Sequence, residues 1–306
     1  MKKIYQFLAI GLLGAFAASC SSDDEASITP ADITGLRSES GAGRIVLRWN
    51  KPTADEASTI AYVQVNYYDP RSKMDSKRLA SAFADSLEIP DTRARYGEYE
   101  FTVKTVSPSG AFGTEEAITG ISGKATATYI KRAVPLTAED LISNAKESTE
   151  GSYGALVDGN TDTYFHTAWS SYIEGPHYLE VDLHQTISNY YAFQYVTRHN
   201  NNTDTPWEIE LQGNNGGSEW FSLCEYSNEN GETVLPVNRA EAFESDMFKT
   251  EKAFNKVRFV VWSTKAYKGE AYHGEYWGPW WALSEFKFYY FDVIDPEDPA
   301  QDGVEE

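Results

Sequence analysis

The chain never sustains a helical period. Its apolar residues alternate with polar ones over short runs, and glycine, proline and asparagine turns cut each run off. Alternation puts one row of side chains on a buried face and the next in water, the mark of half-buried strands. Within residues 44–49 it sets Ile45, Leu47 and Trp49 on one face; within 62–68 it sets Val63, Val65 and Tyr67; within 98–105 it sets Tyr99, Phe101 and Val103. The pattern resumes with Leu179, Val181 and Leu183, then Tyr191, Phe193, Tyr195 and Thr197, then Trp207, Ile209 and Leu211. Asn214-Asn215-Gly216-Gly217 is a hairpin signal, and the rows Val257, Phe259, Val261 and Phe286, Phe288, Tyr290 close the series. Short strands at this spacing with no helices between them predict an all-β chain of sandwiches. The 14% aromatic content favours the same architecture, and 306 residues suffice for two cores.

A formal net charge of −20 with no basic stripe argues against a nucleic-acid partner, since phosphates would be repelled. The first residues read as a targeting segment: Lys2 and Lys3, an apolar run over 7–18 too short to span a bilayer, then Ala17-Ala18-Ser19-Cys20. This resembles a bacterial lipoprotein signal, residues 1–20, in which Cys20 becomes the lipidated first residue. The tether over 21–30, with Ser21-Ser22-Asp23-Asp24-Glu25, resembles the acidic surface-export signal of Bacteroidota lipoproteins, which implies an outer-membrane protein facing outward. With Cys20 so used, only Cys224 remains; it reads as a buried strand residue rather than a nucleophile.

Residues 31–128 resemble a fibronectin type III module, through an early Trp strand, Tyr99-x-Phe101-x-Val103 and a Ser107-Pro108-Ser109-Gly110 hairpin. The module holds no catalytic constellation and reads as a spacer, its Arg71, Lys73, Lys77 and Arg78 as a solvated loop. Residues 126–136 read as a linker, followed by a capping-box turn at Thr137 to Asp140. An acidic tail is expected over 294–306.

Residues 153–169 gather the most chemistry. Asp158, Asn160, Asp162 and Thr163 offer several oxygens to a hard cation, yet Asp158-Gly159-Asn160 is also simply a good turn, and the residues alone leave both readings open. An EF-hand is excluded, because Thr163 and Trp169 stand where that loop needs glycine and glutamate.

The order of Ala155-Leu156-Val157-Asp158-Gly159-Asn160-x-Asp162-Thr163, Tyr178-Leu179-Glu180-Val181-Asp182-Leu183, Trp207-Glu208-Ile209-Glu210-Leu211-Gln212-Gly213, Val257-Arg258-Phe259 and Ser284-Glu285-Phe286 resembles the discoidin family, the coagulation-factor 5/8 type C domain. The resemblance covers residues 134–293 and implies a galactose-binding-like jelly-roll sandwich after the immunoglobulin-like one. It departs from the family at Phe165, near a usual tryptophan, and at His184, which replaces a usual glycine. It implies a structural calcium held by Asp158, Asn160 and Thr163, with the backbone of Asp162, and closed by Glu285. It also implies ligand binding on loops at one end of the sandwich.

Three stretches qualify as those loops: His166, Trp169 and Tyr172; Arg198 with Asn200 and Asn201; and an aromatic loop over 267–281 with Tyr276 and Trp277, in which Trp280 or Trp281 plugs the sandwich end. Aromatic faces with Arg and amide groups are the inventory that recognises sugars. The reading is a non-catalytic, surface-anchored protein that captures a glycan or polysaccharide beside other outer-membrane glycan-uptake proteins. The alternatives are a protein-binding adhesin or assembly partner and a glycoside-processing enzyme. The last needs two carboxylates about 5 to 10 Å apart, and nothing in the spacing pairs candidates such as Glu174 and Glu275.

Overall fold

The alternating runs become strands. The structure, a computed structural model, describes residues 28–229, 231, 234–267 and 279–301. Its described residues divide into two units, 28–126 with 296–301 and 127–295.

In the first unit, strands β1 (Arg37–Gly41), β2 (Arg44–Arg48), β3 (Tyr62–Asp69), β4 (Met74–Ser81), β5 (Ser86–Ile89), β6 (Glu98–Val106) and β7 (Glu116–Ile121) form sheets ordered β1-β2-β5 and β4-β3-β6-β7. All seven pair antiparallel in an immunoglobulin-like sandwich. One short helix among the described residues, α1 (Ala54–Thr59), is capped by a reciprocal Thr53–Glu56 box. The alternating faces all turn inward: Ile45, Leu47, Trp49, Val63, Val65, Tyr67, Tyr99, Phe101 and Val103 share one core. Glu297 also belongs to this unit, its carboxylate accepting from the amides of Ala94, Arg95 and Ala125.

In the second unit the strands are β8 (Thr128–Ala133), β9 (Leu141–Ser143), β10 (Phe165–His166), β11 (His177–Ile187), β12 (Tyr190–Thr197), β13 (Pro206–Asn214), β14 (Phe221–Ser227), β15 (Ala242–Glu244), β16 (Phe248–Lys249), β17 (Phe254–Thr264) and β18 (Ala282–Ile294). One sheet runs β14-β13-β17-β11-β9; the other runs β10-β18-β12-β15, with β8 also on β18 and β16 on β12. The expected linker is therefore partly strand: residues 128–133 pair along 289–294, so Ile294 belongs to β18 rather than to the expected tail. Between the sheets lies an aromatic core of Phe193, Tyr195, Phe259, Phe286 and Phe288 with the aliphatic rows of β11 and β17. The Trp207 ring stays half-buried, because bulges at Glu208 break the alternation of β13. Cys224 is half-buried on β14, and burial pushes its thiol up to about 12, which disfavours the thiolate.

His184 explains why glycine suits its position. It sits at φ +54° beside the irregular stretch of β11, a left-handed conformation that costs a non-glycine residue about 1 kcal/mol. Its ring nitrogen lies 2.5 Å from Asp140 Oδ1 and its amide donates to Asp182 Oδ1, which offset that strain. Asp140 in turn caps Thr137, as the capping-box pattern predicts.

Trp281 plugs the sandwich end. Fully buried, it lies 5.5 Å from the Phe165 ring and 5.7 Å from Phe259, and its indole donates to the His177 carbonyl. Trp281→Ala should therefore destabilise the second unit by about 3–5 kcal/mol in urea denaturation; a cost below about 1 kcal/mol would mean the ring does not hold the two sheets together there.

Candidate functional site

Residues 145–150 run beside 165–170 at the end of the second sandwich. Lys146 bridges Thr167, the Glu147 amide donates to the His166 carbonyl, and the Ala168 amide donates to that of Ala145. The Glu147 side chain is fully buried between the two segments. Its Oε1 accepts from the Thr149 amide and hydroxyl and the Ser170 hydroxyl, and its Oε2 from the amides of Trp169 and Ser170, all at 2.8–3.1 Å. Burial works against the charge, but the donors of Ser170 and Thr149 outweigh it and hold the carboxyl far below the usual carboxylate range.

Trp169 and Glu150 carry the arrangement toward the surface. Trp169 is 44% exposed, and its indole donates to Glu150 Oε1 at 2.7 Å. Glu150 Oε2 accepts from the Tyr164 hydroxyl at 2.6 Å. Burial disfavours the charge of Glu150, and the Tyr164 and Trp169 donors together with Arg198 bring its carboxyl below the ordinary value. The Tyr164 hydroxyl is raised in turn, first by that bond to Glu150.

Arg198, just past the end of β12, completes the cluster. Its guanidinium lies 3.8 Å from the Tyr164 ring centroid, 3.4 Å from Asp204 Oδ2 and 3.8 Å from Glu150 Oε2. Its Nε donates to Asn200 Oδ1 at 2.6 Å. Asp204 is buried and also faces His166 Nε2 at 3.2 Å, while His166 Nδ1 lies 2.6 Å from the Thr167 carbonyl.

The candidate residues thus separate into layers. Arg198, Asn200 and Trp169 share one face, with Tyr172 exposed nearby in sequence. His166 is not at the surface as expected: it is 3% exposed, because both ring nitrogens are turned to oxygens of Thr167 and Asp204, and it underlies the face. The Asn201 side-chain oxygen is spent on a turn, accepting from the amide and hydroxyl of Thr203. Tyr276, Trp277 and Glu275 lie outside the described residues, as does Cys20. Sequence reading missed Tyr164, Glu147, Glu150 and Asp204. Only the proximity of Tyr164 to His166 could have flagged it; the acids have no spacing that sets them apart.

The expected cation loop is built of Asx turns. Asp158 Oδ1 accepts from the Asn160 amide, Asn160 Oδ1 from the Asp162 amide, and the Thr163 hydroxyl donates to Asp158 Oδ2, with Gly159 at φ +74°. Glu285 on β18 is 4% exposed, and neither carboxylate oxygen has a hydrogen-bond partner. Burial raises its pKa; Lys287 opposes and the neighbouring Asp158 adds to it. Two neighbouring carboxylates, one of them buried, fit a hard cation between them. No group of three or more His, Cys, Asp or Glu among the described residues could hold a metal, so a cation here would draw on neutral oxygens as well.

Residues 141–276, most of them in the second unit, match the F5/8 type C domain family model. No curated protein matches the chain. Among solved structures, the chain is similar to the family 32 carbohydrate-binding module of Clostridium perfringens NanJ in complex with galactose, at 17% identity over 53% of this chain and 100% of that one, TM-score 0.38. It is also similar to a Clostridium perfringens family 32 module in complex with GalNAc-β-1,3-galactose, at 15% over 51% and 99%, TM-score 0.38. A SusE-like protein aligns at 14% over 83% of this chain and 95% of that one, TM-score 0.36.

Beneath the site, His177 opens β11 at 2% exposure, its Nδ1 without a partner. Burial pushes its pKa down to about 4, the Ile173 backbone opposing and His166 assisting. The folded value lies below the unfolded one of about 6.5, so the unfolded chain binds the extra proton between them. Stability from this group is whole above pH of about 6.5 and lost as pH falls toward the folded value, at no more than about 1.4 kcal/mol per pH unit. Urea titrations of His177→Gln should show a flatter stability profile than the wild type across that window; equal slopes would contradict the assignment.

Proposed function

We propose that the protein is a non-catalytic, outward-facing outer-membrane lipoprotein, anchored at Cys20, that captures a neutral glycan through the loop end of its F5/8 type C domain. The first unit serves as a fibronectin-like spacer, and other outer-membrane glycan-uptake proteins are the expected partners. The carrying observation is Arg198: a donor fork stacked on Tyr164 and set between Glu150 and Asp204, beside the exposed Trp169. A sugar presents an apolar C–H face and a rim of hydroxyls, and this face offers an indole for the first and alternating donors and acceptors for the second. The Arg198 charge already faces two carboxylates, which leaves it poorly placed to pair with a uronate or sialate and favours uncharged hydroxyls. On an array of neutral and acidic glycans, the recombinant protein should bind neutral members. Trp169→Ala and Arg198→Ala should each weaken binding by about tenfold or more, roughly 1.4 kcal/mol upward. Wild-type protein that binds no glycan, or variants that bind as well as wild type, would overturn the reading.

A calcium ion, when bound, would supply positive charge between Asp158 and Glu285 and tie the first loop to β18, with Asn160 and Thr163 as neutral oxygen donors. The unpartnered oxygens of buried Glu285 support this. A cation that binds only the folded state raises stability by mass action. Chelation should lower the melting temperature and added calcium restore it; superimposable melting curves would count against the ion.

A further inference from the structure

We infer that Glu147 is the positioning residue of this face: its buried carboxylate locks the 145–150 and 165–170 segments together and thereby sets the indole of Trp169 and the carboxylate of Glu150. The inference rests on the glycan-binding reading, since it concerns the same site. Its basis is where the hydrogen bonds go. One carboxylate oxygen gathers the amide and hydroxyl of Thr149 and the hydroxyl of Ser170, and the other gathers the amides of Trp169 and Ser170. Thr149 immediately precedes Glu150, and the Trp169 amide belongs to the exposed indole itself. With the Ser148 hydroxyl, 3.4 Å from Oε1, six donors from two segments converge on one anion.

A buried carboxylate is costly unless its oxygens are filled, and Glu147 forms no ion pair among the described residues. Hydrogen bonds alone therefore carry the charge. Such bonds are strongly directional, so the carboxylate fixes the spacing of the two segments more tightly than an apolar contact of the same size. Fold stability has other sources close by: Phe165 and Trp281 hold β10 and β18 together from the core side. What the Glu147 knot adds is order in the two loop tips. Those tips share the Trp169–Glu150–Tyr164 relay that braces Arg198.

The exact substitution is Glu147→Gln, which keeps the shape but turns an amide donor toward the amides it must accept from. Full-length protein would be followed by amide hydrogen exchange, by the indole resonance of Trp169 and by titration with galactose and N-acetylgalactosamine. Glu147→Gln should speed exchange at Thr149, Trp169 and Ser170 by about tenfold or more and shift the Trp169 indole signal, while β17 amides such as Phe259 stay protected. Sugar affinity should fall by about tenfold, and most of that loss should vanish when the change is made in a Trp169→Ala background. Should Glu147→Gln fail to fold, Thr149→Val and Ser170→Ala each remove one donor to the same carboxylate and should give the same pattern at smaller amplitude. Unchanged exchange at the three amides, or an affinity loss equally large with and without Trp169, overturns the inference. If the wild type binds neither sugar, the glycan reading loses its support, and the exchange and indole results alone decide the role of Glu147.

Discussion

Everything at the loop end depends on the aromatic core clamped between the two sheets of the second unit. Phe193 and Tyr195 of β12 meet Phe259 of β17 at ring separations of 6.0 and 5.5 Å, and Phe286 of β18 lies 5.8 Å from Phe259. Rings of this size bury large areas and interlock at fixed angles, so the strand ends cannot slide relative to one another. β10 adds only two residues to this frame, yet Phe165 anchors it to Trp281 and brings Tyr164 to the rim with His166 beneath it. A rigid sandwich can then carry a precise arrangement on otherwise irregular loops.

At that rim, charge is managed in layers. Glu147 lies deepest and is satisfied by amides and hydroxyls; Asp204 lies next, between Arg198 and His166; Glu150 is outermost, shared among Tyr164, Trp169 and Arg198. Each acid fixes the group above it. The result is a guanidinium held over a tyrosine ring, rather than a flexible side chain that a ligand would have to order. Preformed geometry of this kind lowers the entropic cost of binding.

The strand rows were legible because alternation is a local property: Ile45, Leu47, Val63, Leu179, Phe193 and Phe259 are all buried as their parity requires. The hairpin at Asn214 to Gly217 was legible for the same reason, its turn closed by the Asn214 side chain on the Gly217 and Glu219 carbonyls. β8 was hidden because its residues are mostly exposed and its partner lies about 160 residues away on β18. Arg198, Asn200 and Trp169 could be singled out as loop residues of the right chemistry. The depth of His166 could not, since it depends on Asp204 arriving from another loop. Glu147, Glu150 and Asp204 were invisible among 46 acidic residues, because what distinguishes them is the donors that the fold assembles around them.

Chemical-shift mapping of the second unit during titration with a neutral glycan tests the central claim most directly. Binding at the loop end predicts perturbations concentrated on the Trp169 indole, the Arg198 Nε–H and the amides of residues 164–170 and 198–204. Perturbations centred on a sheet face, around Trp262 and Glu210, or confined to the first unit would contradict it.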